Sequence, residues 1–299
     1  MLKTVTFTDE YARAFEALSP EKAEVLRFHG DVIPGSAAAV VRTDEGTLGE
    51  TFLGAGFLLM GPSYHARERC PGLPFYNIHM DFAVDYTDPE AVPAAEMLLE
   101  ELIARCGVLK TEAPERTLAL TYWVRSEARE TRAFLESFGF REVYRMYHMV
   151  REIGGEAGEA PAESDPAITE TDLLSAKAMK DYVDATEEAY GVPDSEEEMR
   201  FRILRQGARI FTIEGKTFVT VWDLGNGEAV TENIFTKKAF RHRGLAKRLL
   251  AGVSERLRAE GLMRLSLNVY PKYAARALRM YRTLGYRRQY TFIEMHKEF

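Results

Sequence analysis

One segment organises the second half of the chain: Thr231-Glu-Asn-Ile-Phe-Thr-Lys-Lys-Ala-Phe-Arg-His-Arg-Gly-Leu-Ala-Lys-Arg-Leu-Leu250. Its first third alternates like a β-strand, and its middle is basic and typical of a turn. From Gly244 onward, apolar residues recur at the spacing of a helix, at Leu245, Leu249, Val253 and Leu257. The segment therefore predicts a strand, a loop and a helix in succession.

The loop of this segment, Arg241-His-Arg-Gly-Leu-Ala246, has the features of a phosphate site. The first turn of a helix carries N–H groups without carbonyl partners, and the helix dipole adds positive potential there. Gly244 lets the backbone approach an anion closely, and Arg241, Arg243 and Lys247 bring positive charge. We predict that the loop binds a pyrophosphate; the alternative is an ordinary helix start with solvated basic residues.

The loop resembles the Arg/Gln-x-x-Gly-x-Gly/Ala motif of the GCN5-related N-acetyltransferases (GNAT), with Arg241, Gly244 and Ala246 on the fixed positions. Farther on, residues 267–286 are similar to the second motif of that family: a strand, a helix that contains Tyr281, and a Leu-Gly-aromatic end. The chain departs from the family at Ala274, where many members have an asparagine that contacts the cofactor. The resemblance covers roughly residues 165–299.

The resemblance implies that acetyl-coenzyme A donates an acetyl group to a primary amine, which attacks directly in a ternary complex. It makes Tyr281 the general acid for the departing thiolate, whereas periodicity alone would indicate a packed aromatic residue. Glu232 is the candidate base, directly or through water, and the alternative is a solvated strand side chain. The backbone of 234–236 is expected to face the pantetheine and to supply the oxyanion donor. The residues predicted to bind the cofactor are Ile234, Phe235, Thr236, Arg241, His242, Arg243, Gly244, Leu245, Ala246 and Lys247.

The composition is that of an ordinary soluble chain with enough apolar material for two cores, at 46% hydrophobic and 28% charged among 299 residues. A net charge of −7 argues against a nucleic-acid partner. The N-terminal residues lack the apolar core of a signal peptide, and no apolar run reaches membrane-spanning length. We therefore expect a cytoplasmic location and no membrane association.

The two cysteines, Cys70 and Cys106, are far apart and have no histidine or second cysteine at ligand spacing. We predict that both are free thiols. A metal site and a disulfide framework are accordingly not expected.

The chain is predicted to hold two domains, 1–153 and 167–299, joined by a linker of glycine, proline and acidic residues at 154–166. Phe138-Gly-Phe matches Leu284-Gly-Tyr at an offset of 146 (284 − 138), and the order of elements recurs in both halves. We predict an α/β (α+β) fold of two tandem GNAT-like domains. Each is expected to be a mixed, mostly antiparallel sheet flanked by helices.

The N-terminal copy is predicted to have lost its cofactor site. An offset of 151, set by Leu98 and Leu249 (249 − 98), places Pro93 opposite Gly244, and residues 85–99 contain no lysine, arginine or glycine. Proline removes an N–H donor where glycine allowed close approach. The offset of 146 places Leu135 opposite Tyr281, so the predicted proton donor is missing too.

Three local predictions concern the second domain. A helix is expected to be capped near 169–172, a second helix is announced by Asp194-Ser-Glu-Glu-Glu198, and a hairpin is expected to end the chain at Phe299.

The acceptor is the least determined part of the prediction. Glu187, Glu188 and 196–198 border the expected acceptor site and would attract a cation, although helix capping explains most of these carboxylates. The amine acceptor is a small molecule or a peptide, and its identity and the oligomeric state stay open. Two other functions are a catalytically silent acyl-coenzyme A sensor and a partner-binding protein whose loop holds another phosphate.

Overall fold

The computed structural model describes residues 1–28, 32–43, 49–61, 75–111, 114, 117–154, 165–173, 175–191, 196, 199–200, 203, 207–272 and 274–299. These residues form two compact units. Unit 1 comprises Met1–Val124, Arg129–Val143 and Glu294–Phe299, and unit 2 comprises Arg125–Ala128 and Tyr144–Ile293.

The first half of the chain begins with a strand and two helices, continues with three strands, and then alternates helices with strands. Its elements are β1 (Leu2–Thr6), α1 (Asp9–Leu18), α2 (Pro20–Phe28), β2 (Ala38–Thr43), β3 (Glu50–Met60), β4 (Phe75–Val84), α3 (Ala91–Lys110), β5 (Thr117–Arg125), α4 (Arg129–Ser137) and β6 (Arg141–Glu152). The elements of the second half are β7 (Ile168–Glu170), α5 (Ala176–Tyr190), β8 (Arg209–Ile213), β9 (Thr217–Asp223), β10 (Glu228–Thr236), α6 (Leu245–Ala259), β11 (Arg264–Val269), α7 (Ala275–Thr283) and β12 (Arg287–Glu298), with a 3-10 turn at Lys238–Phe240.

In unit 1, strands β1 to β4 pair antiparallel in chain order, and β4 pairs parallel with β5. Helix α3 covers this sheet and buries Leu98, Leu99 and Leu102 completely. The last residues of β12 lie beside β5, where the Phe299 N–H donates to the Leu118 carbonyl at 2.9 Å.

In unit 2, strands β7 to β10 pair antiparallel, and β10 pairs parallel with β11. On its other side, β11 pairs antiparallel with β6, from Arg264↔Glu152 to Val269↔Tyr147. The first residues of β12 lie beyond β6. The sheet around the predicted site is therefore completed by a strand that the first half of the sequence supplies.

The sheet of unit 2 has two apolar faces, because successive strand residues point to opposite sides. Val219 and Val221 of β9 pack in the core that α6 and α7 cover, which we call the α6/α7 face. Phe218 packs with α5 on the other side, which we call the α5 face.

The two halves repeat the same pattern of antiparallel strands, a parallel pair and helices. Helices α4 and α7 keep the predicted offset at both ends (275 − 129 = 146 and 283 − 137 = 146). The predicted fold class is confirmed: each copy is a mixed, mostly antiparallel sheet flanked by helices.

Two local predictions were wrong. The final hairpin is one strand, β12, because residues 287–298 contain none of the glycine, proline, asparagine or aspartate that a turn favours. The helix expected from 169–172 begins at Ala176 after the N-cap Ser175, because residues 168–170 pair with β8 as strand β7.

Parts of two predictions fall on residues that the structure does not describe. Residues 155–164 of the predicted linker and most of 194–198 are outside the described ranges. The boundary at residue 153 stays a prediction, while unit 2 takes in β6 from Tyr144 onward.

Candidate active site

The site lies where two parallel strands separate. Pairing between β10 and β11 ends at Val230↔Ser266, whereas β10 continues to Thr236 and β11 continues to Val269. At the point of separation, the Thr231 hydroxyl donates to the Ser266 carbonyl at 3.0 Å. A gap therefore opens between the two strands and exposes strand edges to a ligand.

A β-bulge turns the backbone of β10 at the edge of this gap. The register with β9 shifts between Glu232 and Phe235, and Asn233 has a left-handed φ of 46°. A bulge bends its strand and redirects its backbone groups, and bulges are frequent beside functional sites. The sequence carried only a weak signal for this bulge: asparagine is depleted in strands and accepts a left-handed backbone, but one asparagine does not fix where a strand bulges.

The end of β10 directs backbone groups away from β9. The Lys237 N–H donates to the Lys216 carbonyl at 3.0 Å, so the alternation of an antiparallel ladder turns the N–H and C=O of Thr236 to the opposite side. The Thr236 carbonyl accepts from Arg241 Nε at 2.9 Å, which agrees with that direction. The Thr236 N–H therefore faces the gap, where it can donate to a ligand oxygen.

The loop after β10 leads into the N-terminus of α6. His242 and Gly244 are both left-handed, with φ of 65° and 75°, and Gly244 is the N-cap. No side chain of the described residues caps this helix, so the N–H groups of its first turn are available to an anion. The left-handed histidine is an uncommon conformation that proteins tend to retain at functional sites.

The loop is also open toward the ligand side. A Cβ placed on Gly244 would meet no atom within 4 Å, and Arg241, His242 and Lys247 are exposed beside it. Free N–H donors, positive charge and open space fit the pyrophosphate of a coenzyme A molecule.

A cleft of about 660 Å³ joins the gap to this loop. Nine of the ten predicted cofactor residues line it: Ile234, Phe235, Thr236, Arg241, His242, Gly244, Leu245, Ala246 and Lys247. The structure places Arg243 elsewhere, because its guanidinium donates to the Ala239 carbonyl at 3.2 Å and lies 5.6 Å from the centre of the Phe240 ring.

Tyr281 lines the same cleft from α7. Its side chain packs in the core on the α6/α7 face, with its ring 5.9 Å from that of Tyr286. Burial raises the pKa of Tyr281 above its ordinary value, because the phenolate would lose its hydration. The hydroxyl is therefore held in its protonated form, as a proton donor requires.

Glu232 does not line this cleft but lies at the gap on the α5 face. It is paired across the ladder with Thr220, whose hydroxyl lies 3.0 Å from the Tyr182 hydroxyl of α5. The neighbouring Asn233 amide donates to the same Tyr182 oxygen at 3.4 Å. Glu232 and Tyr281 thus occupy opposite faces of the sheet, on either side of the gap.

Sequence reasoning missed several cleft residues, among them Tyr190 at the end of α5. Tyr190 is half exposed and its ring lies 5.8 Å from that of Phe235. The sequence showed only that Gly191 follows it, which is a signal for a helix end and not for a site. Ala274, where the family resemblance expected an asparagine contact, also lines the cleft.

The corresponding place in unit 1 has the opposite charge. Helix α3 begins at Ala91 after Glu90, and Arg42 pairs with Asp88 and Glu90 just before it. The helix starts correspond at an offset of 154 (244 − 90), so Glu90 and not Pro93 is the counterpart of Gly244. Carboxylates at this helix start would repel a phosphate.

The cysteines provide no further reactive group among the described residues. Cys106 is buried, and burial raises its pKa to about 12, which makes a thiolate unavailable near neutral pH. Cys70 lies outside the described residues. The described part of the chain contains no group of three metal-ligating side chains and no helix long and apolar enough to cross a membrane.

The splayed parallel strands, the left-handed glycine and the open helix start define an α/β fold with a cleft whose loop end suits an anion. Residues 179–286 match the model of the acetyltransferase (GNAT) family. This C-terminal part of the chain is therefore a domain of the GNAT superfamily.

Solved structures share the fold over the whole chain. A GCN5-related N-acetyltransferase from Sphaerobacter thermophilus matches with 17% identity and a TM-score of 0.68, covering 99% of this chain and 95% of that chain. A tandem GNAT protein from the clavulanic acid biosynthesis pathway matches with 14% identity and a TM-score of 0.63, covering 100% and 98%. No curated protein matches the sequence significantly. At these identities the likenesses show the fold alone, and the fold is that of tandem GNAT proteins.

Proposed function

We propose that the chain transfers an acetyl group from acetyl-coenzyme A to a primary amine, by direct attack while both substrates are bound. The observation that carries this proposal is the cleft itself. Its lining includes Thr236, Tyr281 and the loop residues 241, 242 and 244–247. A module that only sensed acyl-coenzyme A would need the loop but no buried proton donor.

The coenzyme would supply an activated thioester, and the chain would hold it at its phosphates. The N–H groups of 245–247 and the charge of Lys247 would bind the pyrophosphate. The Thr236 N–H would donate to the oxygen on which negative charge develops.

Proton transfer is divided between the two faces of the sheet. An amine with an ordinary pKa near 10 is almost fully protonated at pH 7, so a base must remove a proton before attack. Glu232, which lies at the gap on the α5 face, would do so, directly or through water. Tyr281, on the other face, would give its proton to the departing sulfur.

Release of free thiol from acetyl-coenzyme A tests the proposal across a panel of amines that includes amino acids, polyamines, short peptides and small alkylamines. We expect thiol release to depend on an amine. Tight coenzyme A binding without release in the presence of any amine would favour a sensor instead.

Replacing Gly244 with valine is expected to weaken coenzyme A binding at least tenfold, which is about 1.4 kcal/mol. A β-branched side chain would enter the open space beside the loop and would disfavour the left-handed backbone. Calorimetric titration measures the affinity. Gly225→Val is the matched control, because Gly225 has a φ of 74° and equally open surroundings but does not line the cleft. Equal affinities for the two variants would remove Gly244 from the site.

Titration of the intact chain with coenzyme A is expected to give one site per chain. Unit 1 lacks a cationic loop at the start of α3 and instead has Asp88 and Glu90 there. The counterpart of Tyr281 is Leu135, which is fully buried. A stoichiometry near two would show that both copies have kept a site.

A further inference from the structure

Asn268 occupies the position on β11 that Glu232 occupies on β10. The last paired residues of the two strands are Val230 and Ser266, and each of the two polar residues lies two positions farther on. Because the strands are parallel and separate after that pair, the two side chains lie on opposite sides of the gap.

Both side chains are on the α5 face. Leu267 and Val269 pack in the core on the α6/α7 face, so alternation turns Asn268 to the other side. Glu232 is paired with Thr220, which contacts Tyr182 of α5. An acceptor that reaches the gap from the α5 face would therefore meet both residues.

The Asn268 amide is exposed but held in one orientation. Its Oδ1 lies 3.0 Å from His148 Nδ1, so that nitrogen carries the proton of the hydrogen bond. The His148 ring stacks on Tyr290 with centroids 4.4 Å apart and planes 8° apart, and the Arg125 guanidinium lies 4.3 Å from the Tyr290 centroid. These contacts hold the His148 ring, and through it the Asn268 amide.

This arrangement fixes what the amide offers to a ligand. With Oδ1 engaged by His148 of β6, the two N–H donors of Nδ2 remain for a ligand on the α5 face. N–H donors bind oxygen acceptors, and a carbonyl or carboxylate oxygen close to the amine nitrogen would supply such an acceptor.

We propose that Asn268 is a positioning residue that binds an oxygen of the acceptor, which is therefore an amine with a carbonyl or carboxylate group close to its nitrogen. This inference rests on the proposed function. It places the nitrogen toward Glu232 and the oxygen toward Asn268, so that the acceptor spans the gap in one orientation.

The test compares two amines of similar length, glycinamide and propylamine, in the intact chain. Asn268→Asp keeps the size of the side chain and an oxygen for His148 but removes the N–H donors. We expect the ratio of kcat/KM for glycinamide to that for propylamine to fall about tenfold, while the KM for acetyl-coenzyme A stays constant. Since each amine has the same intrinsic reactivity with both enzymes, that reactivity cancels from the change in the ratio.

The matched control is Asn226→Asp, an exposed asparagine in the turn before β10 whose Oδ1 accepts from the Glu228 N–H. It should leave the ratio unchanged. An unchanged ratio in Asn268→Asp, or turnover of other amines without any of glycinamide, would overturn this inference and leave the proposed function standing. Absence of thiol release with every amine would remove both.

Discussion

Tyr281→Phe is expected to lower kcat by about 100-fold, or roughly 2.7 kcal/mol in the barrier, with coenzyme A affinity nearly constant. The change deletes one hydroxyl and keeps the ring that packs in the core. The departing thiolate, whose conjugate acid has a pKa of about 8.5, would then leave without a proton donor. Steady-state kinetics and calorimetric titration measure the two quantities.

Tyr286→Phe is the control for this prediction. Tyr286 is buried in the same core, and burial raises its pKa to about 12, but it does not line the cleft. We expect its kcat to change by less than about threefold. If both variants behave alike, Tyr281 is a packing residue and the proton comes from elsewhere.

The pH dependence of the wild-type rate provides a second check on Tyr281. Burial raises the pKa of this residue above its ordinary value of about 10, so the hydroxyl stays protonated as the pH rises through the neutral and mildly alkaline range. Loss of the acid should therefore not reduce kcat below about pH 10. A fall in kcat near pH 8 that Tyr281→Phe abolishes would contradict this assignment.

Removal of residues 1–153 is expected to abolish soluble, active protein. The truncation deletes β6, which pairs with β11 along six residues of each strand and places Met149 in the core on the α6/α7 face. Loss of buried Met149 and Ile153 alone costs about 1.5–3 kcal/mol each, against a total stability of ~5–15 kcal/mol for a domain. The uncovered edge of β11 would also invite aggregation.

A chain that starts at residue 140 is the comparison for this truncation, since it restores β6. We expect it to recover more soluble protein and more coenzyme A binding than residues 154–299. The measurements are the soluble yield, the Tm and calorimetric affinity. A stable 154–299 fragment with full coenzyme A affinity would show that the second domain needs no strand from the first half.

Much of the second domain could be predicted from sequence because its signals are local. Strand alternation up to Thr236, a loop with Gly244 and the helical repeat after it are all present within twenty residues. The second family motif pointed to Tyr281, which lines the same cleft. The repeat between the halves could be recognised because a glycine follows the helix in each half. These glycines, Gly139 and Gly285, both have a left-handed φ.

The other features depend on distant contacts, which the sequence does not display. Strand β6 lies beside β11 although it comes from the first half of the sequence. The order of strands along the chain does not show which strand pairs with the free edge of β11. Arg243 was predicted to bring positive charge to the ligand as Arg241 does, yet its guanidinium packs on the 3-10 turn. In the sequence, Asn268 is one polar residue in a strand. Its contact with His148, from the other half of the sequence, appears only in the structure.

The central claim is direct transfer of an acetyl group from acetyl-coenzyme A to an amine in the cleft of unit 2. A single-turnover experiment with excess enzyme and radiolabelled acetyl-coenzyme A tests it most directly, in the presence of an amine that supports thiol release. We predict that the label passes to the amine at the rate at which thiol appears, with none retained on the protein. Label on the protein before it reaches the amine, or label released only as free acetate, would contradict the account.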